Sequence, residues 1–206
     1  MSFDSYTSFK ASLESYADND DVAAVSDVLI AAAHARLNRS VRIEEMVVIA
    51  TAETIGGDAW LGKPPGYRGA RRLKATYGNG QVTGLDYTTL ANMDDTTDYN
   101  QQGRPVVYTV LGDRIRLGPI PNAVITVEIA YYKEVETLSA TVTTNAFLTQ
   151  CPDLLLYACL TEAGIWMRDP EMQAVWENQY ANRLAEVIAE VEEGSFPDGA
   201  LAMVAQ

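Results

Sequence analysis

The spacing of apolar residues changes period twice along this chain: helical up to Ser40, strand-like from Met46 to Lys133, and helical again from Pro152. Ser5 or Thr7 can cap a first short helix running through Tyr16, with Phe9, Leu13 and Tyr16 on one face. Asp18 to Asp21 break it and supply a negatively charged cap for a second helix, from about Asp21 to Ser40. The stripe expected there is Val22, Val25, Leu29, Ala32 and Arg36, flanked by Val28 and Leu37.

Met46 to Thr54 is β-branched and apolar and reads as a strand, followed by a Gly/Pro-rich loop through LGKPPGYRGA. Arg71–Tyr77 and Gln81–Leu85 form a hairpin around Gly78-Asn79-Gly80, and Tyr87 to Met93 reads as a short helix. Arg104–Val110, Arg114–Leu117 and Val124–Lys133 are the clearest strands, expected as an antiparallel meander. In the third, Ile125, Val127, Ile129 and Tyr131 share one face. Pro152 opens a helix to about Arg168, and Asp169-Pro170 open a last one to Gly194. Its expected stripe runs through Met172, Val175, Trp176, Gln179, Tyr180, Arg183, Val187, Ile188 and Val191, with Leu184 beside it.

The expected class is therefore α+β: an antiparallel helical bundle from the N- and C-terminal segments, with an inserted antiparallel β lobe and an extended C-terminal tail. The corresponding segments are residues 1–45, 46–146, 147–193 and 194–206.

Charge narrows the partners. A formal net charge of −13 repels DNA phosphates, so tight wrapping of nucleic acid is not expected; solubility, or a wall past which DNA slides, suits it. Cys151 and Cys159 form neither a CxxC pair nor a disulfide framework. The N-terminus lacks a signal-peptide pattern, and no uncharged apolar run nears the roughly 20 residues of a membrane span, so the chain reads as soluble, intracellular when made, and without a membrane partner.

Catalytic chemistry finds little support. The single histidine, His34, lies within the second helix with no metal-ligand spacing and no nucleophile elbow. Cys159 sits among leucines and reads as a core residue. The glycines of IGGDAWLG and GYRG fit no phosphate-binding pattern, and DDTTD is not a calcium loop. Acid pairs such as Glu44-Glu45, Asp94-Asp95 and Glu192-Glu193 are what an acidic composition produces, and leave a carboxylate-dependent hydrolase as a remote alternative. No cofactor or metal is expected.

Two features stand apart. Arg68, Arg71, Arg72 and Lys74 are basic residues in an acidic chain, readable as a contact to a neighbouring subunit or to DNA, or as a solvated strand face balanced by local acids. The tail carries Phe196, Leu201, Met203 and Val204, readable as a frayed terminus or as an apolar peptide that adds a strand to, or fills a groove in, another chain.

Taken in order, LIAAAHARLNRSVRIEEM, RPVVYTVLGDRIRLGPIP, IAYYKEVETLS, TTNAFLTQCPDLLLYACLTEA and WENQYANRLAEVIAE resemble the adaptor, or head-to-tail connector, proteins of tailed phages, mainly short-tailed ones. The resemblance spans roughly Tyr6 to Glu190 and departs at WLGKPPGYRGARR, where such adaptors often have a strand, a Pro-containing turn and another strand. It implies a non-enzymatic structural virion protein at the head–tail junction, forming a ring, commonly of twelve copies. Such a ring binds the portal protein and downstream tail or nozzle proteins, and surrounds the channel through which DNA passes. It also implies a portal-binding tail. Another neck or tail-completion protein is the runner-up.

Overall fold

The structure is a computed structural model, and residues 3–195 are described. The elements run α1 (Tyr6–Ala17), α2 (Val22–Ser40), a 3-10 turn (Glu44–Met46), β1 (Val47–Glu53), β2 (Trp60–Gly62), β3 (Tyr67–Thr76), β4 (Val82–Tyr87), α3 (Leu90–Asp95) and a second 3-10 turn (Thr97–Asn100). They continue with β5 (Gln102–Gly103), β6 (Val107–Leu111), β7 (Arg114–Gly118), β8 (Ile120–Pro121), β9 (Thr126–Lys133), α4 (Ala146–Gln150), α5 (Pro152–Met167) and α6 (Pro170–Ser195). Two compact units result, Met1–Met46 with Val135–Gln206, and Val47–Glu134. The class is the α+β arrangement expected, with terminal helices packing together and an inserted, largely antiparallel sheet.

In the helical unit, α1 starts at Ser5: its Oγ accepts from Ser8 N–H, and Ser8 Oγ accepts from Ser5 N–H, a reciprocal cap. Phe9 and Leu13 are fully buried, but Tyr16 is exposed, so the expected face is one turn shorter. The expected carboxylate cap on α2 is not made. Asp21 caps nothing with its side chain; the first amides, Val22 and Ala23, bond instead to the carbonyls of Asn19 and Asp20.

The buried face of α2 is also rotated from the expected stripe. It runs Val22, Ser26, Leu29–Ile30, Ala33–His34 and Leu37–Asn38, while Val28 is exposed. Three polar side chains thus hold core positions that an apolar count skips. Ser26 Oγ donates to its own helix at Ala23 O. Asn38 Nδ2 donates to Val135 O at 3.0 Å, and Asn38 Oδ1 accepts from Val135 N–H at 2.9 Å. This pair satisfies both main-chain groups of the residue where the chain rejoins the helices, out of reach of water.

α5 is the central helix. Pro152 occupies its first turn, and its mean composition is apolar all round, so that Leu154, Leu155, Leu156, Cys159 and Leu160 are buried on several faces. It ends at Arg168 in the left-handed conformation, φ 57°. Asp169 Oδ1 then accepts from Glu171 and Met172 N–H and starts α6, as expected. The two helices approach so closely that a Cβ on Gly164 would lie 2.9 Å from both Cα and Cβ of Gln173. On α6 the expected stripe is buried only at Trp176 and Tyr180; Met172, Val175 and Ile188 are exposed.

In the β unit the sheet order is β1-β9-β3-β4-β6-β7-β2. The expected three-strand meander is overturned. β6 and β7 do form a hairpin, but β9 pairs with β1 on one side and β3 on the other. The cause lies in Gly118–Asn122. Pro119 and Pro121 carry no N–H for a ladder. Their neighbours are bonded elsewhere: Ile120 N–H to Gln101 O, and Gly57 N–H to Pro121 O. The chain is thereby carried off the hairpin before β9 begins.

The sheet also holds a parallel β4–β6 pair, and β5 pairs parallel with β8. The loop expected across LGKPPGYRGA instead holds the end of β2 and the start of β3, on either side of Pro64 and Pro65. α4 and the 3-10 turns were not expected. Ile125, Val127, Ile129 and Tyr131 face the core as expected, meeting Leu73, Ala75, Tyr77 and Leu117. Thr54 Oγ1 bonds both Ile125 N–H and Ala123 O, fixing the β1–β9 register at its end.

Two stability outcomes follow from the helical unit. Asn38→Leu conserves volume but strands Val135 N–H and C=O, and should cost about 2–4 kcal/mol by chemical denaturation. Gly164→Ala gains about 1 kcal/mol of helix propensity. It must also push α6 backbone away, so a net loss of about 1–2 kcal/mol is expected by the same measurement; a stabilised variant would refute the close contact.

Candidate interaction surfaces

The residue types that usually carry chemistry are buried and inert. His34 is fully buried, its ring tilted against Phe147 at 5.6 Å. Asn145 Oδ1 accepts from Leu148 N–H as the cap of α4, which assigns its Nδ2 as the donor. That Nδ2 donates to Glu136 O at 2.7 Å and reaches His34 Nε2 at 3.4 Å. Nε2 is therefore the acceptor, and the neutral ring carries its proton on Nδ1. Burial lowers the His34 pKa to about 4. Cys151 is pushed up to about 12 by burial first and nearby carboxylates second, and Cys159 is raised by burial as well, so neither thiol ionises readily. Among the described residues no group of three or more His, Cys, Asp or Glu side chains is placed to hold a metal ion.

The basic cluster lies on β3, and the structure divides it. Lys74 stands opposite Glu128 of β9 and contacts its carboxylate at 2.8 Å; Arg72 lies 3.7 Å from the same oxygen. Arg68 pairs with Glu134 at 2.7 Å. Arg71 is exposed at the irregularity between Ala70 and Arg72. Arg68, Arg72 and Lys74 thus meet acids from the adjoining strand or its end. Partly exposed pairs of this kind contribute about 0–1 kcal/mol each and leave net positive charge only locally. Glu128 and Glu134 were missed as partners because they follow only from the β3–β9 register. The tail residues Phe196, Leu201, Met203 and Val204 lie outside the described residues.

The turn between α5 and α6 was not expected to matter. Ile165, Trp166, Met172 and Val175 expose 53%, 44%, 41% and 55% of their surface around it. Single exposed apolar residues are ordinary; four large ones at one helical hairpin are what an interaction face looks like. The expected stripe of the last helix contained Met172 and Val175, while Ile165 and Trp166 were not singled out.

The exposed apolar hairpin is the candidate protein-binding face among the described residues. The model of the SU10 adaptor protein family matches residues 4–201. The chain belongs to the SU10 adaptor protein family. No match was found among curated proteins. As an SU10 adaptor it is a structural protein of the phage virion, with other virion proteins as partners, and not an enzyme. No helix of this adaptor, among the described residues, is long and apolar enough to cross a membrane.

Core burial of His34 has a measurable consequence. Its folded pKa lies below the roughly 6.5 of an unfolded histidine, so between those values the unfolded chain takes up a proton that the folded chain refuses. The stabilisation is complete above pH about 6.5 and falls away as pH drops towards 4, by about 3 kcal/mol in total. Urea melts from pH 7 to 4 should show a shallower slope for His34→Leu than for the parent chain; equal slopes would refute it.

Proposed function

We propose that copies of this chain form a closed ring at the head–tail junction, joining the portal to the tail and surrounding the DNA exit channel. Family membership supports the adaptor role, and the observation that carries the ring is the exposed apolar hairpin of Ile165, Trp166, Met172 and Val175. A ring is a head-to-tail assembly in which each subunit offers two different faces, one of which is supplied by this hairpin. The portal protein binds one side of the ring, and tail or nozzle proteins bind the other. Twelve copies is the number the resemblance implies.

The charge supports the channel. At −13 per chain, a ring multiplies negative charge around the passing duplex, which itself carries one charge per roughly 1.7 Å. Such a wall releases DNA rather than holding it. The basic side chains Arg68, Arg71, Arg72 and Lys74 are proposed as a subunit contact, reached by exchanging a local acid for a neighbour's.

Met172→Asp with Val175→Asp tests the ring. Both positions are exposed, so the melting midpoint should stay within the range of about 0.5 kcal/mol typical of surface changes. Electron micrographs of portal-bearing capsids mixed with the parent chain should show added ring density beneath the portal, and mixtures with the variant should not. Density for neither chain, or density only below a separate adaptor ring, would replace this reading with another neck or tail-completion role.

A further inference from the structure

Charge is divided unevenly between the two units. Val47–Glu134 holds nine Lys or Arg and nine Asp or Glu, so the whole of the −13 falls on the residues of the helical unit. A contact between two helical units would set −13 against −13. A contact between a helical unit and a neighbour's β unit would set it against zero, and so faces far less repulsion.

The exposed hairpin of α5 and α6 has an acidic border. Asn19, in the turn between α1 and α2, donates from Nδ2 to Met167 Sδ at 3.3 Å, which holds that turn beside the end of α5. Asp18, Asp20 and Asp21 are all exposed in it. The first amides of α2 are met by main-chain carbonyls, so the Asp21 carboxylate is not spent on a cap. Arg168, exposed at the hairpin turn, offsets one of these charges. Ile165, Trp166, Met172 and Val175 therefore form an apolar surface bordered by carboxylates, and its complement is an apolar surface bordered by a cation.

The β unit carries such a surface on the outer side of its sheet. Residues directly opposite in a ladder share a face. Ala130 of β9 stands opposite Ile49 of β1 on one side and opposite Arg72 of β3 on the other. The three form one row, on the face away from the buried Ile129 and Tyr131. Ile49 is 64% exposed and the Arg72 side chain 62%. Two strand spacings of roughly 4.8 Å separate them, with only the Ala130 methyl between. The row is thus a shallow trough with one aliphatic and one cationic wall, wide enough for an aromatic side chain. Arg72 is weakly committed within its own chain: Lys74 holds Glu128 at 2.8 Å and leaves Arg72 3.7 Å from the same oxygen. Behind β1 lies a cleft of about 240 Å³ that reaches β2 and that no charged side chain lines, so apolar surface continues beyond the strand.

We propose that the α5–α6 hairpin of one copy docks on this row in the next copy, with Trp166 in the trough over Ala130 and Arg72 between the indole and the Asp18–Asp21 turn. The inference rests on the ring reading and supplies the second of the two unlike faces that a head-to-tail ring needs. Trp and Arg are the side chains that most often anchor an interface. An arginine is attracted both to the face of an indole and to carboxylates, so Arg72 answers both parts of the hairpin surface.

The test is thiol cross-linking on portal-bearing capsids, with reporters beside the proposed contact: Thr51→Cys, one pleat beyond Ile49, and Asn178→Cys, one turn beyond Val175, both exposed. Cys151 and Cys159 are buried and stay silent. A chain carrying both changes, treated with a short bis-maleimide, should give a denaturing-gel ladder extending beyond dimer. A mixture of the two single variants should stop at dimers containing one of each. Adding Arg72→Glu should remove the ladder with the circular dichroism unchanged, and adding Asp20→Lys with Asp21→Lys to that variant should restore it. Trp166→Ala, independent of the sheet, should also remove it. Cross-links confined within single chains, cross-links only to the portal, a ladder that survives Arg72→Glu or Trp166→Ala, or one that the lysines do not restore would each overturn the proposal while leaving the ring standing. Absence of ring density for the parent chain would overturn both.

Discussion

The helical unit depends on one buried amide. Asn38 answers both main-chain groups of Val135 from the interior face of α2, so the chain re-enters the helices at a fixed point and in a fixed direction. A leucine there could fill the volume but could not satisfy the two backbone groups, each of which costs about 1–3 kcal/mol when stranded. The segment runs to Asn145, whose side chain bonds Glu136 O and caps α4, and Pro152 then launches α5 into the centre of the unit. The His34 ring lies against Phe147 on the same interior face, which is why it is dry and neutral rather than reactive.

The β unit has its own counterpart. Thr54 receives Ile125 N–H and bonds Ala123 O, and so sets the parity of the whole β1–β9 ladder. That parity decides two things at once. It turns Ile125, Val127, Ile129 and Tyr131 into the core, and it turns the spare hydrogen-bonding groups of β1 outward at Ile49, Thr51 and Glu53. A one-residue slip of β1 against β9 would exchange which β1 residues bond to β9 and would turn Ala50 and Ala52 off the face they share with Ile129 and Val127.

Local signals were legible where backbone chemistry alone decides. Pro152, the Asp169-Pro170 start and the alternation along β9 are properties of short segments, and the structure has them as read. Long-range pairing was not legible. Nothing in Arg114–Lys133 states that β9 abandons β7 for β1 and β3; the prolines at 119 and 121 explain it only once the partners of Ile120 and Gly57 are known. The faces of α2 and α6 failed for complementary reasons. On α2, Ser26, His34 and Asn38 are core residues because each meets a backbone group or a ring there, which an apolar count cannot register. On α6, Met172 and Val175 lie on the expected stripe yet are exposed, because apolar spacing alone does not say how much of a stripe the fold covers. The order of the segments, by contrast, did carry the family, because order and spacing persist when pairing is hidden.

In the proposed ring, chains of −13 would stand beside copies of themselves and face Coulomb repulsion, screened over about 8 Å at physiological salt. Attraction between copies would then come from surfaces that expose apolar area, since removing such area from water contributes roughly 25 cal/mol per Å² whatever the net charge. Among the described residues, Ile165, Trp166, Met172 and Val175 expose such area at the α5–α6 hairpin of the helical unit, and the β1–β2 cleft of the β unit is lined by no charged side chain. One belongs to each unit, so two unlike faces are available, as a head-to-tail ring requires and a two-fold dimer does not. In that ring the acids would be left for the remaining surface, where repulsion would keep unassembled copies apart and passing DNA free. Met172 and Val175, exposed in the monomer, would then be correctly placed for the assembly.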